Sequence, residues 1–223
     1  MVELKKGNET MATKKSANIF YLIIKRLFDI VVGLIGLILL IPISIIIKVI
    51  SICSGDFNSI FFTQNRIGKN GKEFKFYKFR SMVPNADIIL FKLLEEDPEA
   101  AKEYKENKKL KNDPRITKIG KIIRKTSIDE LPQLINVLFG DMSFIGNRPY
   151  LPREKEDMGK YYYDIVKSKP GLTGYWQVSG RSNTSFEHRL KLESYYSNHM
   201  SLKMDIKIFF KTFSAVIHGH GAE

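Results

Sequence analysis

The chain of 223 residues has one cysteine, Cys53, which excludes an intrachain disulfide and a cysteine-built zinc site and allows a reducing compartment. Cys53 itself reads as a small apolar residue. Acidic residues are short relative to basic ones: 24 Asp and Glu against 36 Lys and Arg leave a formal charge of +12. That imbalance calls for an anionic partner, whether nucleic acid, an acidic membrane surface or a phosphorylated substrate, and does not choose among them. The histidine pair His218 and His220 has metal-ligand spacing, but at a chain end a frayed tail is the simpler reading. Residues 1–18 have little apolar content and carry Lys5, Lys6, Lys14 and Lys15, so a flexible tail is expected there.

What the chain has in excess is one apolar run. From Ile30 to Ile47 it continues for 18 residues without a charge. The run is longer than a usual signal-peptide core, no small-residue cleavage site follows it, and it is apolar on every face, unlike a buried soluble helix. Lys25 and Arg26 precede it; Lys48, Arg66, Lys69, Lys72, Lys75, Lys78 and Arg80 follow it. Positive charge on both flanks assigns both to the cytoplasmic side. A segment that enters and leaves by one face must bend, and Pro42 lies inside the run with Ser44 near to satisfy freed backbone groups. Residues 19–52 are therefore read as a re-entrant membrane helix-break-helix, with a kinked single span as the alternative.

In residues 60–82, Gly68–Gly71 supplies a turn, and Phe74 and Phe76 alternate with Lys75, which predicts a β-hairpin with a basic side. Such alternation also occurs in nucleic-acid binders, but an amphipathic strand is the simpler reading. Residues 83–112 form a charged helical insertion, read as a helix pair broken near Asp97-Pro98, its carboxylates too mixed with lysines to make a metal cluster. Ile116, Ile119, Ile122 and Ile123 predict one face of a short helix whose other side carries Lys118, Lys121, Arg124 and Lys125. Residues 186–216 again have apolar residues at helical spacing.

Thr126-Ser127-Ile128-Asp129-Glu130-Leu131-Pro132 places two adjacent carboxylates where a helix is expected to start, since Thr and Ser are good caps and proline is tolerated only near a start. Free amides and the positive end of the dipole would keep Asp129 and Glu130 ionised and would attract phosphate. An ionised carboxylate beside a phosphate can be a nucleophile or a Mg²⁺ ligand. The competing reading is a capping box, Ser127-x-x-Glu130, without chemistry. An extended or loop segment, 141–150, and a second loop, 169–181, each hold an arginine among turn residues, and Arg124, Arg148 and Arg181 flank the dyad in sequence as candidates for bidentate phosphate contacts.

Five segments, in this order, carry a resemblance: Phe-Tyr-Lys-Phe-Arg-Ser-Met (76–82), Asp-Pro-Arg-Ile-Thr (113–117), Arg-Lys-Thr-Ser-Ile-Asp-Glu-Leu-Pro-Gln-Leu-Ile-Asn-Val (124–137), Gly-Asp-Met-Ser-Phe-Ile-Gly-Asn-Arg-Pro (140–149) and Pro-Gly-Leu-Thr-Gly-Tyr-Trp-Gln-Val-Ser-Gly-Arg (170–181). The chain resembles, over residues 20–222, the bacterial sugar transferases, or monotopic phosphoglycosyl transferases, and within them the catalytic half of undecaprenyl-phosphate galactose or glucose phosphotransferases. The N-terminal membrane and accessory domains of the long members are expected to be missing. The resemblance implies transfer of a sugar 1-phosphate from a UDP-sugar to polyprenyl phosphate at the cytoplasmic face of the bacterial inner membrane, giving UMP. It further implies Asp129 as nucleophile, Glu130 as Mg²⁺ partner, and Lys78, Arg124, Arg148 and Arg181 as phosphate or nucleotide contacts. Membrane lipids are implied as partners, nucleic acid is not, and a homodimer is compatible. Two departures stand out: Asn147 replaces the first proline of a common Gly-Pro-Arg-Pro, and Ile41-Pro42 replaces a common Ser-Pro at the membrane break.

The expected fold class is α+β, predominantly helical, with the re-entrant segment, a small β-hairpin and amphipathic interfacial helices around a cytoplasmic catalytic domain of residues 53–223. A non-enzymatic, membrane-anchored basic domain that binds nucleic acid or anionic lipid is the rival; it explains charge and anchor but not a carboxylate pair among arginines.

Overall fold

The computed structural model describes residues 18–107, 110–179 and 184–217, with side chains to residue 214 in the last stretch. The tail before Asn18 and the pair His218 and His220 lie outside the described residues. The architecture is predominantly helical α+β, with a small antiparallel hairpin and one long apolar N-terminal helix.

That helix, α1 (Ile19–Cys53), runs 35 residues, about 50 Å at 1.5 Å per residue. Asn18 caps it, its side chain accepting the Phe20 N–H at 3.0 Å. With an 18-residue stretch of mean hydropathy 3.1, it is long and apolar enough to cross a membrane. It continues through Pro42, so the helix break expected there is absent. Proline fits helical φ and removes one N–H, and α1 is held from both sides of Pro42 by the rest of the chain. Ser44 does donate a hydrogen bond, at 2.7 Å, but to Leu40 O rather than to the Ile38 carbonyl that Pro42 leaves without its donor.

The contacts of α1 extend along its whole length. Near its start Tyr21 Oη and Lys25 Nζ donate to Asp205 Oδ2 at 2.8 and 2.5 Å. Further on, Asp29 Oδ1 accepts Ser143 Oγ at 3.0 Å and the Phe144 N–H at 2.7 Å. Gly36 allows the closest approach, since a Cβ there would lie 2.2 Å from Leu134 Cδ1. Leu40 and Ile47 then join Phe79 and Ile123 in a buried cluster. At the far end Lys48 Nζ donates to the carbonyls of Phe57 and Asn58, and Ser51 Oγ to that of Asp56. The opposite face, with Val31, Leu34, Ile38, Ile41, Ile45 and Val49, is exposed and apolar. Cys53, expected to act as an apolar filler, is exposed.

The predicted hairpin forms from β1 (Phe61–Ile67) and β2 (Glu73–Phe79), paired antiparallel from Phe61–Phe79 to Ile67–Glu73. Phe76 and Phe79 are buried beneath it. The charged insertion is α2 (Ala86–Glu96) and α3 (Pro98–Asn107). Asp97 divides them, accepting the N–H groups of Glu99 and Ala100 at 2.9 and 3.0 Å while Pro98 occupies the first helical position. Next comes α4 (Lys118–Lys125), capped by Thr117, whose Oγ1 accepts the Gly120 N–H at 2.9 Å. Ile123 is buried, but Ile122 points outward with Lys118 and Lys121, so the four isoleucines do not share one packed face.

After α5 (Gln133–Phe139) the segment read as extended or loop and the segment read as a loop each contain a strand: β3 (Ser143–Ile145) and β4 (Gly171–Thr173) pair in parallel. Short helices α6 (Tyr162–Val166) and α7 (Tyr175–Ser179) flank β4, and α8 (Phe186–His199) and α9 (Leu202–Ile217) close the fold. On α9 Ile208 is buried, whereas Leu202, Ile206, Phe210 and Phe213 form an exposed apolar stripe.

Candidate functional site

The turn that carries the carboxylate pair differs from the expected helix start. Ser127 has φ 57° and ψ 16° and makes no capping bond with its side chain, so the capping box is not formed. Ile128–Glu130 make one 3₁₀ turn, and α5 begins only after Pro132. The left-handed Ser127 reverses the chain after α4, turning Ile128 and Leu131 onto the cluster of Leu40, Ile47, Phe79 and Ile123. The two residues that bracket the dyad therefore pack on a cluster to which α1 contributes Leu40 and Ile47.

Helix α5 is fixed at its C-terminal end and on the side that faces β2. Arg26 of α1 donates to the carbonyls of Val137 and Leu138, both at 2.7 Å, satisfying groups that a helix C-terminus leaves open. Gly140, at φ 89°, closes the same end in the left-handed region. On the β2 side, the fully buried Asn136 donates from Nδ2 to Lys75 O at 2.7 Å and accepts the Tyr77 N–H at 3.2 Å. Sequence reasoning missed Asn136; a polar residue inside the apolar run Leu134-Ile135-Asn136-Val137-Leu138 was the available signal, since such a group must find partners.

These restraints bring Lys78 to the dyad. Its Nζ is 2.9 Å from Glu130 Oε1 and 3.3 Å from Asp129 Oδ2. Asp129 is buried, 6% exposed, whereas the Glu130 side chain is 37% exposed. The two carboxyls are driven apart in acidity. Burial raises the Asp129 pKa, aided by the charge of Glu130, and outweighs the opposing pull of Lys78 and Arg124. Burial acts in the same direction on Glu130, but Lys78, Arg148 and Gln133 overcome it and hold that carboxyl below its usual value. The helix terminus expected to favour ionisation of both is outweighed at Asp129 by burial, because that residue sits before the helix in a desolvated turn.

Of the predicted arginines, Arg124 turns inward from α4 and donates Nε to Ser81 Oγ at 2.8 Å. Burial lowers its pKa while the charges of Asp129 and Asp113 oppose the shift, so its guanidinium lies within electrostatic reach of the dyad. Arg148 follows β3, and its backbone N–H donates to Glu193 Oε1 at 3.0 Å. Arg181 lies outside the described residues. Arg66, half-buried, and Arg189, buried, lie near Arg148, and neither was expected as a site residue.

Among the described residues no group of three His, Cys, Asp or Glu side chains could hold a metal. Mg²⁺ does not need one, because it is commonly bound by one or two carboxylates together with substrate phosphate oxygens. A partly exposed Glu130 kept ionised beside a second carboxylate fits that donor set.

Residues 20–219 match the family described as bacterial sugar transferase. The undecaprenyl-phosphate galactose phosphotransferase of Salmonella typhimurium is 46% identical over 204 residues, covering 89% of this chain and 41% of that protein. The UDP-galactose-lipid carrier transferase of Erwinia amylovora is 46% identical over 202 residues, with 89% and 41% covered. The exopolysaccharide production protein ExoY of Sinorhizobium fredii is 40% identical over 200 residues, with 89% and 87% covered. The chain thus spans about two fifths of the length of the two 46%-identical relatives and corresponds to most of the last.

Proposed function

The chain belongs to the bacterial sugar transferase family, and from that premise we propose that it transfers a sugar 1-phosphate from a UDP-sugar to polyprenyl phosphate, releasing UMP, in the assembly of a bacterial surface glycan. The observation that carries this reading is the placement of Asp129: a buried carboxylate beside a lysine, on a turn whose bracketing residues pack on a cluster that includes Leu40 and Ile47 of the apolar helix α1. A soluble donor and a membrane-bound acceptor can both reach such a position.

In the proposed reaction an Asp129 carboxylate oxygen attacks the sugar-bearing phosphorus. The bond from that phosphorus to the bridging oxygen breaks, UMP leaves with the electron pair, and an aspartyl phosphosugar remains. An oxygen of the lipid phosphate then attacks the same phosphorus, and the carboxylate departs unchanged. Lys78, Arg124 and Arg148 offset the charge that would otherwise repel an anionic nucleophile from a diphosphate, and Arg181 is assigned the same role by resemblance. Glu130, with Asp129, would hold Mg²⁺, which supplies further neutralisation of phosphate charge. The membrane-anchored basic domain without enzymatic activity is disfavoured, since headgroup binding gives no use to a desolvated carboxylate.

For the membrane segment we propose the re-entrant arrangement in a modified form: an unbroken helix whose two ends remain with the cytoplasmic body while its exposed apolar face enters the bilayer. The contacts of Tyr21 and Lys25 at one end and Lys48 and Ser51 at the other support it. The exposed stripe of α9 would lie in the same interface. The function is tested by incubating the purified chain with Mg²⁺, polyprenyl phosphate and a panel of UDP-sugars. UMP release that depends on the lipid is expected with one or a few sugars, and its absence across the panel would reject the proposal.

A further inference from the structure

A second cluster of positive charge lies beyond the dyad, along the hairpin. Arg66 Nη1 donates to Pro149 O at 3.1 Å and Nη2 to Gln64 Oε1 at 2.9 Å, and its guanidinium lies 5.2 Å from the Phe76 ring centre. Lys78 Nζ lies 5.7 Å from the same centre, so one aromatic side chain separates Arg66 from the lysine of the dyad. Arg189 of α8 is 8% exposed and lies 4.2 Å from the Trp176 ring centre and 5.6 Å from that of Phe186. One turn further along α8, Glu193 accepts the backbone N–H of Arg148.

The cluster is under-compensated. The Nε groups of Arg66, Arg148 and Arg189 are each buried and have no hydrogen-bond partner among the described residues, although buried donors are ordinarily paired. Burial lowers the Arg66 pKa to about 10, and the nearby Arg148 adds to the shift. Burial likewise lowers that of Arg189, again with Arg148 as a like charge. The adjacent Glu193 is pushed up to about 7 by burial, so it supplies only part of a counter-charge near neutrality. Three rigid guanidinium forks with spare donors in a desolvated place suit a phosphate dianion.

The position of the cluster selects which phosphate. Phe79, at the end of β2, packs with Leu40 and Ile47 of α1. Arg66 stands opposite Phe74, toward the other end of the hairpin, and its neighbour Ile67 belongs to a cluster with Tyr150, Met158, Ile165 and Leu190 that contains no residue of α1. Tyr150 and Leu190, close in sequence to Arg148 and Arg189, belong to that same cluster, so the three arginines gather around a core to which the apolar helix does not contribute. We propose that Arg66, Arg148 and Arg189 form the subsite for the nucleoside monophosphate half of the donor, the half that leaves. This rests on the UDP-sugar reading above and goes further by assigning separate residues to donor and acceptor phosphates.

Trp176 is the single tryptophan of the chain, which gives the test a direct readout. The full chain in detergent is titrated with UMP while tryptophan fluorescence is followed, for the native protein and for Arg66→Gln, Arg66→Lys and Arg189→Gln. UMP is expected to change the signal as Arg189 is drawn from the ring. Its Kd should rise by about tenfold or more in the two glutamine variants and less in Arg66→Lys, the scale of a lost charge-assisted hydrogen bond, with KM for polyprenyl phosphate within about twofold of native. An unchanged Kd in variants that melt like the native protein overturns the subsite, as does an effect confined to the lipid KM. Should Arg189→Gln fail to fold, the Arg66 pair decides. Sugar-phosphate transfer with UMP affinity untouched by these substitutions sinks this inference alone; UMP binding through the arginines without any transfer sinks the functional reading and leaves the subsite standing.

Discussion

Asn136 holds Lys75 by the backbone: its Nδ2 donates to the Lys75 carbonyl at 2.7 Å, and its Oδ1 accepts from the next N–H but one, that of Tyr77, at 3.2 Å. Through this one side chain α5 sets the height of β2, and hence where Lys78 meets the dyad. Replacing Asn136 by Leu removes two hydrogen bonds from a fully buried site and is expected to cost about 2–4 kcal/mol. It should also lower kcat by more than KM, because Lys78 loses its alignment. Thermal melting and initial rates check the two effects; a normal melting temperature would remove Asn136 from its positioning role.

Asp129→Asn preserves shape and should leave the fold intact while reducing transfer by roughly three orders of magnitude or more, the loss seen when a nucleophile is removed. With labelled UDP-sugar and no lipid, the native protein should retain label and the variant should not. Glu130→Gln should instead weaken the response to Mg²⁺ concentration while labelling persists. Full turnover by the Asp129 variant would reassign the nucleophile.

The pH dependence follows from the signs of the two shifts. Asp129 must be ionised to attack, and its raised pKa means that activity falls as pH drops through that raised value, earlier than for an ordinary aspartate. Lys78 opposes the rise, so Lys78→Gln should move the acid limb of the kcat/KM profile to still higher pH. A limb that stays in place in this variant would show that another group governs it.

How much of this was legible beforehand depended on whether a residue's partners were near in sequence. The apolar run, the hairpin turn and the division at Asp97-Pro98 declare themselves by local periodicity and turn chemistry, and the structure contains all three. The left-handed Ser127 does not, because neither a glycine nor an asparagine marks it. Strands β3 and β4 are three residues each, too short for alternation to show, and pair across 28 positions of sequence, from Ser143 to Gly171. The break at Pro42 was over-read: the residue that permits a kink does not impose one when Gly36, Leu40 and Ile47 are packed on both sides of it. Asp129 and Glu130 were recognised as a pair, but their opposite acidities came from burial and from Lys78, some fifty residues earlier, which no local reading supplies.

Glu193 predicts a stability effect independent of catalysis. Its carboxyl titrates at about 7 in the folded chain, from an ordinary 4.5, because burial penalises the charged form. Its contribution is fully present below pH 4.5 and is lost as pH rises through about 7, where the folded state must give up a proton that the unfolded state released earlier. Glu193→Gln, which keeps an acceptor for Arg148 N–H, should remove that slope and stabilise the chain at pH 8 by on the order of 3 kcal/mol. Melting temperatures between pH 5 and 8 measure it, and parallel curves for the two proteins would contradict the burial argument.

The membrane arrangement gives the last prediction. A single span would need about 20 residues of α1 to leave the body of the protein, yet Tyr21 and Lys25 are bound to Asp205 at one end and Lys48 to the carbonyls of Phe57 and Asn58 at the other. Both ends should then lie on one side. With Cys53 replaced by Ser, cysteines at the exposed positions Asn18 and Ser59 should both resist an impermeant thiol reagent in intact cells and both react after permeabilisation. Labelling at position 18 alone in intact cells would establish a span. Because the helix already passes through Pro42, Pro42→Ala should leave this pattern unchanged. Gly36→Leu should not, since its Cβ would lie 2.2 Å from Leu134 Cδ1; overpacking of about 1–3 kcal/mol would lift α1 from α5. Activity should fall with it, because Ile128 and Leu131, which bracket the dyad, share the cluster that α1 completes.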